Sequence, residues 1–532
     1  MAERKPSPRI EPAHSILYDP ASLARVEAIP DTDNLLQTAA LSLKNPFNDR
    51  QREAFALSFT QRILLLWGPP GTGKTTVLAG IILGWLERAS STGEPVCIGV
   101  GASNYNAIDN VLVEVIELIE RRIQQSGDFL LPVTVARVRS DHSHAPRDKR
   151  IIDVPRRSEA GSKLAQQLEA PESCLVVGGT WMQLGKLCQT VNEDKKPVSE
   201  WFDLFIIDEA SQLEVAAAGA YFLLLKENAN VVLAGDHKQL GPIYGFEMRE
   251  PGEGLFDCIF AYMKEAHGIV PIALDQNYRM NDGLTGWPKK RFYHQGYHAF
   301  YPQRRLEIIL PDYQGVAPVG WPAQLPWSNE YLRILNPELP VAVITYDAAT
   351  YTLSNPFEAQ MVAALSYLYR RILDEQGVKP SDKQFWQQHL GIVTPHRAQM
   401  SSIRNKLVET TGMSVNPPPF VDTVDRFQGL ERDLMIASYT VADRDFVRAE
   451  EEFILNPRRF NVTLTRARSK FVMFISDAII QHLPTDAEVA RDAAHIQLFV
   501  EDYCSGVNER IELPFLDNGS VMNIPCRLKG VV

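Results

Sequence analysis

The feature that most narrows what this chain can fold into is the run Leu64-Leu65-Leu66-Trp67 followed at once by Gly68-Pro69-Pro70-Gly71-Thr72-Gly73-Lys74-Thr75. A short apolar strand leads straight into G-x-x-x-x-G-K-[ST], the spacing of a phosphate-binding loop. Glycines at these positions let backbone N–H groups curl around an anion, Lys74 reaches the β and γ phosphates of a nucleoside triphosphate, and the Thr75 hydroxyl takes a place on Mg²⁺. A helix must follow to aim its positive end at the anion, and Val77, Leu78, Ile81, Ile82, Trp85 and Leu86 recur at helical spacing over 74–89. A glycine-rich turn that matched by accident would lack one of the two flanking elements. A bound nucleoside triphosphate and Mg²⁺ are therefore expected.

Composition narrows the class further. The 532 residues are 45% hydrophobic and 22% charged, ordinary globular values, and the net charge of −11 argues against a generally basic coat for nucleic acid. Any nucleic-acid track must then be a local stripe. The six cysteines are scattered without a C-x-x-C pair, so reduced thiols and a cytoplasmic compartment are expected, or a nuclear one in a eukaryote. Arg4 and Lys5 lead into Pro6 and Pro8 instead of an apolar stretch, and no apolar run reaches membrane-spanning length, so neither export nor membrane insertion is expected.

Apolar strands near 62–67, 95–101, 133–138, 174–178, 203–208 and 230–234 alternate with amphipathic helices, the pattern of a parallel sheet covered on both faces. The pattern breaks in a proline-rich stretch over about 311–340. It resumes with strands near 341–346, 389–394, 433–438 and 470–476 and helices near 356–375, 396–409 and 458–466. Two α/β units are implied, only the first with a phosphate loop. Phe205-Ile206-Ile207-Asp208-Glu209 is an apolar strand ending in two carboxylates, of which Asp208 suits the metal and Glu209 the attacking water. Another strand ends in Gly235-Asp236-His237-Lys238-Gln239, which places the neutral amide of Gln239 where it can sense the γ-phosphate.

At this point the chain resembles superfamily 1 helicases, specifically the 1B branch that contains the nonsense-mediated-decay RNA helicase and the replication helicase-nuclease. The resemblance runs through an ordered series over about 45–480: Phe47-Asn48-Asp49-Arg50-Gln51, the phosphate loop, Ala102-Ser103-Asn104-Tyr105-Asn106, Gly179-Thr180, Asp208-Glu209-Ala210-Ser211, Gln276-Asn277-Tyr278-Arg279-Met280, Thr394-Pro395-His396-Arg397-Ala398-Gln399, Thr423-Val424-Asp425-Arg426-Phe427-Gln428-Gly429-Leu430-Glu431 and Thr463-Leu464-Thr465-Arg466. It implies an α/β fold of two tandem RecA-like domains with parallel sheets and an ATP cleft between them. The implied boundaries are an N-terminal extension over 1–44, a first domain over 45–275 with a short basic insertion at about 138–172, a second domain over 276–484, and a C-terminal helix and tail over 485–532.

The resemblance also assigns roles. Gln51 becomes the adenine reader and Tyr278 the base-stacking partner; Gly68, Pro69, Gly71, Thr72, Gly73, Lys74, Thr75 and Thr76 line the phosphates, with Gly429 and Glu431 as nucleotide contacts from the second domain. Arg279 and Arg466 are the implied arginine fingers, so Lys74, Asp208, Glu209, Gln239, Arg279 and Arg466 form the expected catalytic set, with Thr75 and Asp208 on the metal. Ser103, Asn104, Thr180, Thr394, Pro395 and Thr423 are the expected contacts to single-stranded DNA or RNA, touching phosphates and sugars without sequence preference. Two basic stretches stand beside them. Residues 137–163 hold eight cations against four acids and read either as strand contact or as a solvated loop; residues 286–305 mix cations with aromatics whose first reading is core. The β-barrel that this branch carries ahead of the adenine-reading motif does not fit in some 45 residues. ATP-driven translocation or unwinding, with 5′-to-3′ polarity and DNA slightly favoured, is the leading expectation. The alternative is an ATP-switched scaffold that recruits a partner enzyme, such as one supplying nuclease or accessory domains.

Overall fold

The computed structural model describes residues 12–23, 32–191, 200–242, 258–293, 296–348, 350–411, 420–427 and 430–532. The backbone divides into two compact units, Met1–Asp275 and Gln276–Val532. The first is built on strands β1 (Ile63–Trp67), β2 (Cys97–Gly101), β3 (Val133–Arg139), β4 (Ile152–Pro155), β5 (Cys174–Gly178), β6 (Phe202–Ile207), β7 (Leu225–Gly235) and β8 (Ile272–Ala273). They form one sheet in the order β4-β3-β5-β2-β6-β7-β1-β8, every neighbouring pair parallel. Parallel sheets need both faces covered, which is why the strands read as unbroken apolar runs. Along β1, Ile63 and Leu65 enter one core with Ile207 and Leu233, while Leu64 and Leu66 enter the other with Ile206 and Val232.

The helix Lys74–Thr92 follows β1 through the glycine loop and ends on Gly93, whose left-handed φ of 75° lets its N–H reach the Ala89 carbonyl. The sequence before residue 45 is not a loose extension in its described part. Helix Ala13–Tyr18 places Ile16 in one core of this unit, and helix Thr32–Ser42 places Leu35 and Ala39 in the other.

The basic segment after β3 differs from the solvated loop that is one of its two readings. Strand β4 extends the sheet edge and helix Glu159–Glu169 follows it, and two of the arginines, Arg137 and Arg139, turn toward carboxylate partners. Arg137 is buried against both oxygens of Asp109, at 3.0 and 3.1 Å, and Arg139 makes a two-pronged contact to Asp153 at 2.7 and 2.9 Å. Arg147 donates to Asn106 at 2.6 Å, and Arg150 pairs with Asp148 and Glu120. A fork-shaped guanidinium matched to a carboxylate is held tightly, so the charges of Arg137 and Arg139 serve the fold, while Arg147 and Arg150 stay exposed.

In the second unit β9 (Gln276–Asn277) pairs with β10 (His298–Ala299). The main sheet holds β11 (Val341–Tyr346), β12 (Leu390–Val393), β13 (Val421–Asp422), β14 (Arg432–Ser438), β15 (Ala467–Ser476), β16 (Val507–Asp517) and β17 (Ser520–Val531), in the order β13-β12-β14-β15-β11-β17-β16. The first five are parallel and β17 runs antiparallel to β11. Helix Pro356–Glu375 opens with Asn355 as cap and proline in the first turn. The aromatics of 286–305 are largely core: Trp287, Phe292, Tyr293 and Tyr297 are buried, while Phe300 and Tyr301 stay exposed.

The C-terminal tail expected over 485–532 is a correction. Helix Ala487–Leu498 is present, but β16 and β17 after it form a hairpin whose second strand pairs with β11 from Val341 to Tyr346. Asn518 and Gly519, with φ of 46° and 82°, make the two-residue turn. Asn-Gly with both residues left-handed is the favoured hairpin connection, because its twist matches that of the strands. Ile511, Leu513, Phe515 and Leu528 of the hairpin are buried in the core of this unit. The six cysteines are all free and buried, and no helix among the described residues is long and apolar enough to cross a membrane. Because Leu513 is fully buried, Leu513→Ala is expected to cost about 2–5 kcal/mol in denaturant unfolding, the range for a large-to-small core change; a change near zero would mean that the hairpin is not part of the folded unit.

Candidate functional site

In the first sheet β6, β7 and β1 are adjacent, so the residues just past their carboxyl ends, Asp208, Asp236 and Gly68, come together where ligands of parallel α/β sheets bind. Backbone bonds lock the three ends. Gly68 N–H donates to the Gly235 carbonyl at 3.0 Å, Asp208 N–H to Gly101 at 2.9 Å, and Asp236 N–H to Ser211 Oγ at 3.2 Å. Between Gly68 and Lys74 the chain curls through Gly71 and Gly73, both at left-handed φ of 75° and 79°, and Thr72 Oγ1 ties back to the Pro69 carbonyl at 2.8 Å. A Cβ at Gly68 would stand 2.9 Å from Lys74 Cβ, and one at Gly73 would stand 2.8 Å from Gln51 Nε2. Only glycine leaves this cradle open.

Gln51 sits at the third position of helix Asp49–Thr60, in a reciprocal cap with Asn48: Gln51 N–H donates to Asn48 Oδ1 at 2.9 Å and Asn48 N–H donates to Gln51 Oε1 at 3.1 Å. Its Nε2 donates to the Thr72 carbonyl at 3.0 Å. The residue expected to read adenine is therefore buried and pins the phosphate loop, with one further hydrogen-bonding capacity left on each amide atom.

Lys74 Nζ lies 3.0 Å from Asp208 Oδ1 and 2.9 Å from Glu209 Oε1. Burial alone pulls the ammonium down, but the attraction of two carboxylates outweighs it and holds Lys74 above its ordinary value. Burial raises the Asp208 carboxyl, with Lys74 opposing it and Glu209 adding to it. Glu209 adopts φ of 52°, a left-handed conformation that costs a non-glycine residue on the order of 1–3 kcal/mol and is found where function demands it. Its second oxygen accepts from Gln212 Nε2 at 3.0 Å. Thr75 and Thr76 are half-buried in the first turn of helix Lys74–Thr92. One hydroxyl and one carboxylate are the hard oxygen donors that suit Mg²⁺, and the glycine cradle with its ammonium suits triphosphate oxygens.

Gln239 is buried, its Nε2 donating to Asp236 Oδ2 at 2.7 Å, while Trp67 Nε1 donates to Asp236 Oδ1 at 3.0 Å. Asp236, Trp67 and Ser211 were given no role from sequence, yet they tie together the three strand ends. Asp236 carried a signal, since it follows a buried strand within Gly235-Asp236-His237.

In the second unit, Asn277 Oδ1 accepts from the N–H groups of Arg279 and Met280 at 2.7 and 2.8 Å, which sets the direction of the Arg279 side chain. Arg279 Nε pairs with Glu431, and its Nη1 donates to the Thr465 carbonyl at 2.9 Å. The Arg279 charge holds the Glu431 carboxyl below its usual range against the pull of burial, helped by Arg468 and Arg466. Arg466 is buried, with Nε donating to the Val462 carbonyl at 3.1 Å. Tyr278 is half-buried, its ring 4.9 Å from Phe300 and its hydroxyl donating to Gln276 Oε1 at 2.8 Å. Gly429 lies outside the described residues.

The expected strand contacts divide. Ser103 and Asn104 are exposed just past β2, although Asn104 Oδ1 is engaged in capping helix Tyr105–Ser126 through the Ala107 N–H at 3.0 Å. Thr180 is half-buried past β5. In the second unit Thr394, Pro395 and Thr423 come together with Ser438, Arg459 and Thr463 in a cavity of about 30 Å³. The Thr394 hydroxyl differs from expectation: the residue is buried and its Oγ1 lies 3.1 Å from Thr440 Oγ1, facing inward.

Since a side chain at residue 73 meets Gln51 and is strained by the left-handed backbone there, Gly73→Ala is expected to weaken binding of a fluorescent ATP analogue at least ~10-fold, a loss of about 1.4 kcal/mol. Unchanged affinity in a titration would contradict the cradle as described.

One AAA-domain model matches residues 51–246 and another AAA-domain model matches residues 255–478. The DNA replication ATP-dependent helicase/nuclease JHS1 of Arabidopsis thaliana is 25% identical over 466 residues, covering 86% of this chain and 31% of that protein. The DNA-binding protein SMUBP-2 of Rattus norvegicus is 26% identical over 469 residues, 80% of this chain and 42% of it. The DNA replication ATP-dependent helicase/nuclease DNA2 of Bos taurus is 25% identical over 454 residues, 82% of this chain and 37% of it. The chain thus spans less than half the length of these relatives. Among solved structures, the arterivirus nonstructural protein 10 helicase aligns with 83% of this chain and 62% of that one at 10% identity and a TM-score of 0.34, too weak a likeness to bear on function. The chain thus carries two AAA domains in tandem and is similar along most of its length to relatives that include named ATP-dependent helicases.

Proposed function

We propose that this protein is an ATP-hydrolysing motor, a helicase or translocase, that works on single-stranded nucleic acid. The observation that carries the reading is the Lys74 ammonium held between Asp208 and Glu209 beside the glycine cradle. An ammonium so placed moves from the carboxylates onto the β and γ phosphates when ATP enters, and the Glu209 carboxylate it leaves is free to orient the attacking water. Thr75 and Asp208 would hold the Mg²⁺, which neutralises charge on the phosphates. Gln239, aimed by Asp236, senses the γ-phosphate. Arg279 and Arg466 act as the arginine fingers of the hydrolysis step, with Glu431 and Gly429 on the nucleotide, Tyr278 stacking on the base, and Gln51 at the adenine edge.

Ser103, Asn104 and Thr180 of the first unit and the 394–395 and 423 cavity of the second grip the strand through its backbone. This supports binding without sequence preference. The names of the relatives favour DNA, and 5′-to-3′ polarity follows from the 1B resemblance. A partner protein that supplies nuclease or accessory domains belongs to the same reading.

Lys74→Ala is expected to abolish hydrolysis. Arg466→Ala is expected to keep ATP binding while losing ~10³-fold or more in turnover, the scale of a lost arginine finger; equal turnover to wild type in steady-state assays would remove Arg466 from the catalytic set. The unwinding reading is tested on partial duplexes with a 5′ or a 3′ overhang. ATP-dependent strand separation from the 5′ overhang is expected, and hydrolysis without separation of either substrate would contradict it.

A further inference from the structure

Directly behind the strand-contact cavity of the second unit lies a buried carboxylate that the proposed chemistry does not use. Glu358, in the first turn of helix Pro356–Glu375, is fully buried, and its partners are hydroxyls and a backbone N–H, none of them cationic. Tyr346 Oη donates to Oε1 at 2.5 Å; Ser438 Oγ donates to Oε2, and Thr440 N–H donates to the same oxygen at 2.9 Å. A second layer supports the first. Asn355 Nδ2 donates to Tyr346 Oη at 2.7 Å and to the Thr440 carbonyl at 3.0 Å, and Gln399 Nε2 donates to Ser438 Oγ at 3.0 Å.

These bonds converge on the turn at 438–440, just past β14. There Thr440 takes φ of 69°, a left-handed conformation that a β-branched residue adopts only when its surroundings impose it. The Thr440 hydroxyl reaches the Ser438 carbonyl at 3.2 Å, so its single hydrogen is engaged and the Thr394 hydroxyl is the donor in the 3.1 Å contact between the two threonines. Thr394 and Ser438 both line the cavity that Pro395 and Thr423 complete. Burial pushes the Glu358 carboxyl up to about 7, with the bonds from Ser438, Tyr346 and Thr440 pulling it back. A buried carboxylate without a cation is costly to keep, and networks of this kind fix one geometry when every member is satisfied.

We propose that Glu358 is a positioning residue for the strand grip: it holds the 438–440 turn in its left-handed form and, through Thr440 and Thr394, sets the lip of the cavity that receives the nucleic-acid backbone. The inference rests on the reading of this cavity as a strand contact. Loss of the carboxylate lets the turn relax, Thr394 loses its acceptor, and the lip at 394–395 moves out of register with Thr423.

The test measures ATP hydrolysis against increasing single-stranded oligonucleotide for the full chain, for Glu358→Gln and for Thr423→Ala. The strand concentration giving half-maximal stimulation is expected to rise ~10-fold in Glu358→Gln, the scale of one buried hydrogen bond, with KM for ATP moving less than about two-fold. A merely structural role lowers the amount of active protein without moving that concentration. Tyr346→Phe, which removes one donor to the same carboxylate, is expected to shift it in the same direction and serves if Glu358→Gln fails to fold. A shift in Thr423→Ala with none in Glu358→Gln or Tyr346→Phe would overturn the positioning role while leaving the motor reading intact. No shift in any of the three, with wild type still stimulated, would overturn the cavity as a strand contact, and no stimulation of wild type would overturn the function beneath both.

Discussion

Lys74, held by Asp208 and Glu209, is the interaction on which the first unit depends. It joins the first turn of helix Lys74–Thr92 to the end of β6 across the intervening β7, which requires three parallel strands to finish at the same level. Taking three charges out of water is expensive, and the attraction among them repays it only in good geometry. The glycine loop provides that geometry from one side, through two left-handed residues and a threonine tied to its own loop, and the strained Glu209 provides it from the other. In the proposed reading the ion cluster holds the ammonium beside the glycine cradle, within reach of the phosphates it is to meet. Its cost is offset when a more highly charged ligand takes the ammonium.

The second unit uses similar devices at its own edge. Arg279 is aimed by Asn277 and paired with Glu431, and Arg466 is buried against a helix carbonyl, so both guanidiniums are held in defined directions. At the carboxyl ends of β12, β13 and β14 a different solution appears, a network of uncharged donors around one carboxylate. Charged clusters serve where a charged ligand replaces a partner. Neutral networks serve where shape must persist, because no incoming ion competes for their bonds.

Much of the architecture was legible because it follows from period and punctuation. The strand, glycine loop and helix at 64–89, the paired carboxylates after β6, and the helix at 356–375 each declare themselves by local pattern. What was not legible was how a polar side chain divides its bonds. Gln51 reads as a ligand contact and is in addition tied to Asn48 and Thr72; Thr394 reads as a surface hydroxyl but faces Thr440; Arg137 and Arg139 read as part of a basic patch but sit against carboxylates. Sequence gives residue type and approximate face, while pairing depends on elements distant in the chain. The hairpin β16–β17 was missed for another reason. Glu509, Arg510 and Glu512 make its first strand look solvated, although Asn518-Gly519 already marked the turn.

The central claim is that a nucleotide site built on Lys74 is coupled to a strand grip. The most direct measurement is ATP hydrolysis by the purified protein alone, with single-stranded DNA and with single-stranded RNA of equal length, with Lys74→Ala as the blank. The account predicts turnover that requires Lys74 and rises strongly with at least one of the two polymers. Lys74-dependent turnover that neither polymer changes would contradict it.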